Sequence, residues 1–418
     1  MYADDLVLIS ETEKGMHNCL LTLETFCKKW RLTINIEKTK LLIVNQPKKL
    51  DFNFRINNCK LEIVDSFSYL GLIISKKCNF QTAINELLKK ATRAYYAIKK
   101  DFNFINNTHP KIIIKLYESM VQPILLYCSE IWGIFGWKKN EASCIKQYIL
   151  NSKHKFESLH TMMCKNALGV SKHTSDLMSK SELGRYPIIS NIIKNTYTYW
   201  QHILHSKSNS LLHQTHAHLS KNVTKHVNFQ SRFYALLKVL NSTNLFHICI
   251  PTDTKRYSNI LKAEYNKLYE QHFFSTINSK GGRFELYSKV KKVYKFESYL
   301  NLHKNDLRRH ITKIRTSCHS LPIENLRKSK IERDKRYCKL CSDNQIGSEE
   351  HTLVHCKNEI LNKIRLELFN KIYYYCNQWL DLPDKTKFIY LMSAVDDTCN
   401  FYFAIFLDKL YKLIKQKC

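Results

Sequence analysis

Two groups of side chains have the types and spacing to do chemistry. The first is Asp4-Asp5, adjacent carboxylates directly ahead of the apolar run Leu6-Val7-Leu8-Ile9. Paired acids at the tip of a strand can hold a divalent ion, because Mg²⁺ takes one or two carboxylates plus substrate phosphates and keeps several waters. Taken alone, the same pair is also what a solvated turn looks like. The second group is Cys338-x2-Cys341 followed by Cys356, with His351 and His355 between them. Two cysteines three apart can grip one metal from a tight turn, and a distant histidine and cysteine complete a tetrahedral set of three sulfurs and one nitrogen. Such closed ligation is structural, and the binding energy of Zn²⁺ would be folding energy for a small element that cannot bury much surface. His351 and His355 stand one helical turn apart, so spacing alone admits either.

The elements that must position these groups follow from the apolar periodicity. Leu6–Ile9 and Leu41–Val44 read as buried strands, and Leu20, Leu23, Phe26, Cys27 and Trp30 between them recur at helical spacing. Phe67 to Ile74 is a third apolar run whose Gly71 suggests a turn or a close backbone approach. From Gln81 the period becomes helical, with Ile84, Leu87, Leu88, Ala91, Ala94, Tyr95 and Ile98 on one face beside Lys89, Lys90, Arg93, Lys99 and Lys100. Further helices are expected around 110–130, 153–170, 186–205, 227–300, 361–379 and 401–413. His202 to His226 is rich in histidine with little periodicity and reads as a linker or loop. Lys304 to Arg336 concentrates Lys304, Arg308, Arg309, Lys313, Arg315, Arg327, Lys328, Lys330, Arg333, Lys335 and Arg336 against only Asp306, Glu324, Glu332 and Asp334. That local excess of positive charge, abutting the Cys/His cluster, points to contact with RNA or DNA.

Order along the chain adds a family resemblance. Tyr2-Ala3-Asp4-Asp5 before an apolar strand resembles the palm motif of reverse transcriptases, and Trp30-Arg31-Leu32-Thr33-Ile34-Asn35-Ile36-Glu37-Lys38-Thr39-Lys40 resembles the next palm motif of the non-LTR (LINE-type) retrotransposon enzymes. Tyr69-Leu70-Gly71 sits where that family has its primer-grip hairpin. Gln122-Pro123-Ile124-Leu125-Leu126-Tyr127-Cys128-Ser129-Glu130-Ile131-Trp132-Gly133 is similar to a later stretch, with Cys128 where a glycine is usual. Glu182 to Ile188 and Lys313 to Glu324 are similar to others, and carry no evident chemistry; Trp132 and Tyr186 read as packing residues. The family pattern also selects His351, preceded by Glu349-Glu350, as the fourth ligand beside Cys338, Cys341 and Cys356.

The resemblance implies roles residue by residue. Asp4 would be a Mg²⁺ ligand, Asp5 a ligand or its support, Tyr2 a packing residue near the primer terminus, and Lys38 a group that stabilises or protonates pyrophosphate. Tyr69, Leu70 and Gly71 would seat the primer end. It implies an incomplete palm over 1–78, a helical thumb and following helices over 79–205, a helical, basic and aromatic region over 206–336 opened by the His-rich linker, and a zinc-knuckle-like element with C-terminal helices over 337–418. The expected fold is thus mainly α with a small N-terminal α+β piece. The expected activity is RNA-directed DNA synthesis on an RNA template and a DNA primer or target. Fingers and the other palm aspartate are expected on an upstream polypeptide, so this chain is expected to be inactive alone. The alternative is a nucleic-acid-binding or zinc-dependent protein-interaction remnant. Pro383-Asp384 with Asp396 and Asp397 roughly matches the endonuclease layout of some such proteins, but Pro-Asp is common at helix starts, and the pattern is set aside.

Composition bounds these readings. The 418 residues carry a formal net charge of +30 and are 44% hydrophobic, enough for real cores and for sequence-independent affinity toward phosphates. Nine glycines and seven prolines disfavour an all-β protein with many tight turns. The 15 scattered cysteines, with no charged-then-apolar leader, suggest reduced intracellular thiols, in a nuclear or cytoplasmic ribonucleoprotein rather than a secreted protein. The apolar run Phe401 to Leu407 is too short to cross a bilayer.

Overall fold

A computed structural model describes residues 4–45, 52–101, 108–151, 154–221, 228–249, 251–394 and 396–417. They form two compact units, Met1–Leu87 and Leu88–Cys418. The boundaries expected near 205 and 336 fall within the second.

The first unit is built on the helix Glu13–Trp30. Thr12 caps it, its hydroxyl accepting from Gly15 N at 3.1 Å, and Arg31 ends it in the left-handed region. Leu20 packs with Leu41, Phe54, Ile56 and Leu61 into a small core, joined by Leu8, Met16, Leu23, Ile34, Ile36, Ile43 and Phe52. Three two-stranded ladders surround it. Lys40–Leu41 pairs in parallel with Glu62–Ile63, and Arg55–Ile56 pairs antiparallel with Cys59–Lys60. Ser66–Tyr69 pairs antiparallel with Leu72–Ser75. The turn that the Tyr69-Leu70-Gly71 stretch suggests is there: Leu70 (φ 47°) and Gly71 (φ 83°) close this last hairpin with both central residues at positive φ, the geometry whose twist matches that of the strands.

Two strand expectations need correction. Leu6–Ile9 is not a buried strand: only Asp5 makes a bridge, and Leu6, Val7 and Ile9 are exposed by 45%, 46% and 77% while Leu8 alone turns into the core. An apolar run becomes a strand only where a neighbour takes its backbone hydrogen bonds, and none of the described ladders includes these residues. In the same way only Lys40–Leu41 of the second run is laddered, and Val44 is exposed.

The second unit is helical, and its described residues contain strand-like pairing only at the bridges Leu183↔Phe296 and Tyr337↔Ile346. The expected amphipathic helix from Gln81 runs to Asp101. The long helix Thr254–Ser279 buries Ser258, Leu261, Tyr265, Tyr269, Phe273 and Ile277, a three- and four-residue spacing that forms one stripe, and packs along Ile189–Leu204. Cys128 sits at φ 52°, a left-handed position that explains why glycine suits it. Trp132 is a core residue as expected, its indole N–H donating to Tyr127 O at 2.8 Å. Tyr186 stacks near Tyr294 and its hydroxyl donates to Glu270. The reading of 202–226 as a linker is corrected in part: Leu211–Lys221 is a helix, held because the Gln230 amide reaches His216 O at 2.9 Å and the His216 ring packs edge-on to Trp200. Those contacts come from residues distant in sequence, so local composition could not announce them. Residues 222–226 of that stretch lie outside the described residues.

His160 is fully buried on the helix Lys155–Leu168, and burial, followed by the cations Arg185 and Lys180, holds its pKa well below 6.5. The unfolded chain therefore binds a proton near pH 6 that the folded chain refuses. The contribution is intact above pH 6.5 and falls, by up to about 1.4 kcal/mol per pH unit, as pH drops below it. Urea titrations at pH 7.5 and 5.5 are expected to show a smaller loss for His160→Leu than for the native chain; equal losses would assign the pH dependence to other histidines.

Candidate metal centre and nucleic-acid interface

Cys338, Cys341, His351 and Cys356 place their ligand atoms within 4.8 Å of one another, the one such His/Cys/Asp/Glu grouping among the described residues. The first pair comes from a hairpin, fixed by Cys338 N donating to Gln345 O (2.8 Å) and Gly347 N donating to Arg336 O (2.8 Å). The second pair brackets one π-helical turn, His351–His355, with Cys356 as its C-cap; the turn is entered through Ser348, whose hydroxyl accepts from His351 N at 3.1 Å. In an α-helix positions five apart point about 140° from each other. The π turn, closed by Cys356 N donating to His351 O at 2.7 Å, brings them to one side.

Two of the separations are those of a tetrahedral metal site. Zn–S near 2.3 Å and Zn–N near 2.0 Å in a tetrahedron require neighbouring donors about 3.5–3.8 Å apart. Cys338 Sγ lies 3.8 Å from Cys356 Sγ, and Cys341 Sγ lies 3.4 Å from His351 Nε2. The Cys356 thiol, then the backbone N–H groups of Leu340 and Cys341, favour the thiolate of Cys338 and hold its pKa below the usual thiol range. His355 is excluded from the set: it is half exposed, with Nδ1 3.4 Å from Asp384.

Residues that the sequence reading did not single out brace this centre. Arg365, buried, donates to Leu353 O and Cys356 O at 2.9 Å each, and Asn358 donates to Leu340 O at 2.9 Å while capping the helix Glu359–Tyr373. Glu349 accepts from the buried His319 at 3.0 Å, tying the cluster to the segment after Arg315. An asparagine ahead of an apolar period was a legible signal for the cap; nothing local marked Arg365. Asp384 begins the helix Asp384–Ser393, and Asp396 accepts from Cys399 N at 2.7 Å. The set-aside nuclease pattern is thus accounted for by helix-end chemistry.

The carboxylate pair is placed differently. Asp4 and Asp5 are exposed on a turn, and among the described residues no third acid, cysteine or histidine groups with them. Tyr2 lies outside the described residues. Lys38 is exposed, its backbone N–H donating to Asn35 Oδ1 at 3.0 Å in the turn before Lys40. Tyr69, Leu70 and Gly71 occupy the hairpin described above, with Leu70 39% exposed.

The basic run divides in two. Arg308 and Arg315 are buried and engaged internally, which removes them from any phosphate surface. Arg308 donates to Leu302 O, His303 O and Asn305 Oδ1. Arg315 is fully buried against Glu182, Nε to Oε2 and Nη2 to Oε1, both at 2.9 Å, and its Nη1 donates to Met392 O. Tyr287 and Tyr299 also donate to Glu182, while Lys291 donates to Glu297. Burial pushes the Glu182 carboxyl up, but Arg315 and Lys291 outweigh it and hold its pKa below the usual range. The physical reason is pairing: a guanidinium with a bidentate acid can be buried, whereas sequence charge counts treat every arginine as solvated. Arg309 and Lys313 are partly buried. Arg327 pairs with Glu324 (2.8 Å), Arg333 with Glu285 (2.9 Å) and Lys335 with Glu332 (2.7 Å). Arg336 donates to Ile331 O and Ile323 O. Lys328 and Lys330 are exposed without an acidic partner among the described residues.

Residues 1–74 match the family "Reverse transcriptase (RNA-dependent DNA polymerase)". The chain is 33% identical over 133 residues, 31% of its length, to a transposon-derived protein of Caenorhabditis elegans, of which the match covers 47%. It is 27% identical over 145 residues, 32% of its length, to the Drosophila melanogaster protein named "Probable RNA-directed DNA polymerase from transposon BS", of which the match covers 16%. The chain thus spans about half the length of the first relative and far less of the second. No solved structure matches it. Over its first 74 residues the chain is thus similar to reverse transcriptases, and over about a third of its length to proteins of transposons. Among the described residues, no helix is long and apolar enough to cross a membrane.

Proposed function

We propose that this chain is the part of a non-LTR retrotransposon RNA-directed DNA polymerase that runs from the palm carboxylates through a helical thumb to a zinc-ordered, nucleic-acid-binding element, and that by itself it binds nucleic acid without polymerising. The observation that carries this is the contrast between the two sites: Asp4 and Asp5 stand exposed with no third ligand grouped with them among the described residues, whereas Cys338, Cys341, His351 and Cys356 come together as a four-donor set. Two adjacent carboxylates can bind one Mg²⁺ with waters and phosphates, but not the pair of ions that clamps attacking and leaving oxygens in phosphoryl transfer. The Asp4/Asp5 turn therefore does not by itself fit the two-metal site. The working protein acts on an RNA template and a DNA primer or target in an intracellular ribonucleoprotein. Tyr69, Leu70, Gly71 and Lys38 are the residues of this chain assigned to the primer end and pyrophosphate, and Zn²⁺ is assigned to the Cys/His set.

A primer-extension assay with the 418-residue chain, an RNA template annealed to a DNA primer and Mg²⁺ is expected to show no nucleotide incorporation, alongside retention of the template-primer in a gel-shift experiment. Incorporation that depends on Mg²⁺ and disappears in Asp4→Ala would overturn the non-catalytic reading.

A further inference from the structure

We propose that the outer face of the hairpin at Tyr337 is a stacking platform for unpaired bases, which makes single-stranded nucleic acid the preferred ligand of the Cys/His element. The inference rests on the nucleic-acid reading above and deepens it. Along Arg336 to Leu340 the side chains alternate in their burial. Arg336 turns inward onto Ile331 O and Ile323 O, Cys338 enters the donor set and Leu340 is 8% exposed. Tyr337 and Lys339 face out, with Tyr337 47% exposed and Lys335 preceding it, also exposed. Across the bridge Ile346 is 37% exposed, so ring and aliphatic side chain lie together on the open side.

This aromatic is held in place. Hydrogen bonds of the residues on either side, Cys338 N to Gln345 O and Gly347 N to Arg336 O, fix its backbone, and the adjoining cysteine belongs to the donor set. With its backbone fixed in this way, the tyrosine gives up only side-chain freedom when a base settles on it. Its neighbours in the chain match a charged backbone: Lys339 is exposed without an acidic partner among the described residues, as are Lys328 and Lys330 earlier in the basic run. The exposed Lys335–Glu332 pair is of the weak, solvent-screened kind that a phosphate can replace. A ring flanked by cations is the combination that binds single strands with little sequence preference, stacking bases while cations follow the phosphates. A duplex offers the lysines its phosphates but keeps its bases stacked, so only the single strand uses the ring.

The test is fluorescence anisotropy with the full chain, a labelled mixed-sequence single-stranded oligonucleotide and the matching duplex. Tyr337→Leu is expected to weaken single-strand binding roughly 5- to 150-fold, the range of one base–aromatic stack, and duplex binding less than about twofold. Tyr337→Trp is expected to retain affinity and to add fluorescence quenching by the single strand over that of the native chain. Equal losses on both ligands, or none, would overturn the stacking platform while leaving nucleic-acid binding intact. Failure of the native chain to bind either ligand would instead sink the reading on which it rests. If Tyr337→Leu does not fold, the tryptophan variant decides, because quenching by single strand and duplex alike contradicts the proposal.

Discussion

Replacing Arg315 by alanine is expected to lower the stability of the Leu88–Cys418 unit by about 3–5 kcal/mol, the cost of leaving a buried charge without its partner. Glu182 would remain fully buried, with Tyr287, Tyr299 and a more distant Lys291 as stabilising neighbours in place of a bidentate guanidinium. Its carboxyl would then be driven toward the neutral form, because burial already opposes its ionisation. Urea denaturation followed by circular dichroism measures the loss. Lys328→Ala, an exposed change in the same basic run, is expected to shift stability by less than about 0.5 kcal/mol. The paired change Glu182→Gln with Arg315→Met should recover a large part of the loss, since replacing both partners removes the uncompensated charge. A small effect of Arg315→Ala would mean that the residue is hydrated in solution and available to a ligand after all.

The second large effect concerns the metal. The chain is expected to bind one Zn²⁺ per molecule, and its removal by a chelator should unfold the Tyr337–Cys356 element, since structural Zn²⁺ contributes on the order of 10–16 kcal/mol of apparent binding energy to small elements of this kind. Cobalt substitution reads the donor set directly through its thiolate absorption. Cys356→Ser and His351→Ala are expected to lose or weaken it, whereas His355→Ala should bind cobalt as the native chain does, because that imidazole faces Asp384. Binding is expected to weaken as pH falls, because protons compete for the three sulfurs and the imidazole. Loss of cobalt binding in His355→Ala with retention in His351→Ala would reverse the ligand assignment.

These expectations mark where local pattern sufficed. The helices Glu13–Trp30 and Gln81–Asp101 could be read because one helix's apolar stripe is written within a few turns of sequence. The cysteine pair Cys338/Cys341 could be read because a tight turn brings both thiols to one ion. Leu6–Ile9 misled because an apolar run does not carry its own ladder partner, and Leu211–Lys221 because its supports, Trp200 and Gln230, lie outside the stretch.

The sequence by itself determined the chemical vocabulary of this protein: adjacent carboxylates, a cluster of three cysteines with two histidines, a concentration of cations ahead of it and amphipathic helices to carry them. Only the tertiary structure decided which members of each set serve which end. A π turn brings His351, and not His355, beside the three cysteines. A contact between two segments without evident chemistry of their own, meeting 133 residues apart at Glu182 and Arg315, turned a candidate phosphate-binding arginine into a core ion pair. The physical reason is common to both: ligation and ion pairing depend on distances between side chains, and these are set by packing among residues that sequence spacing leaves unrelated.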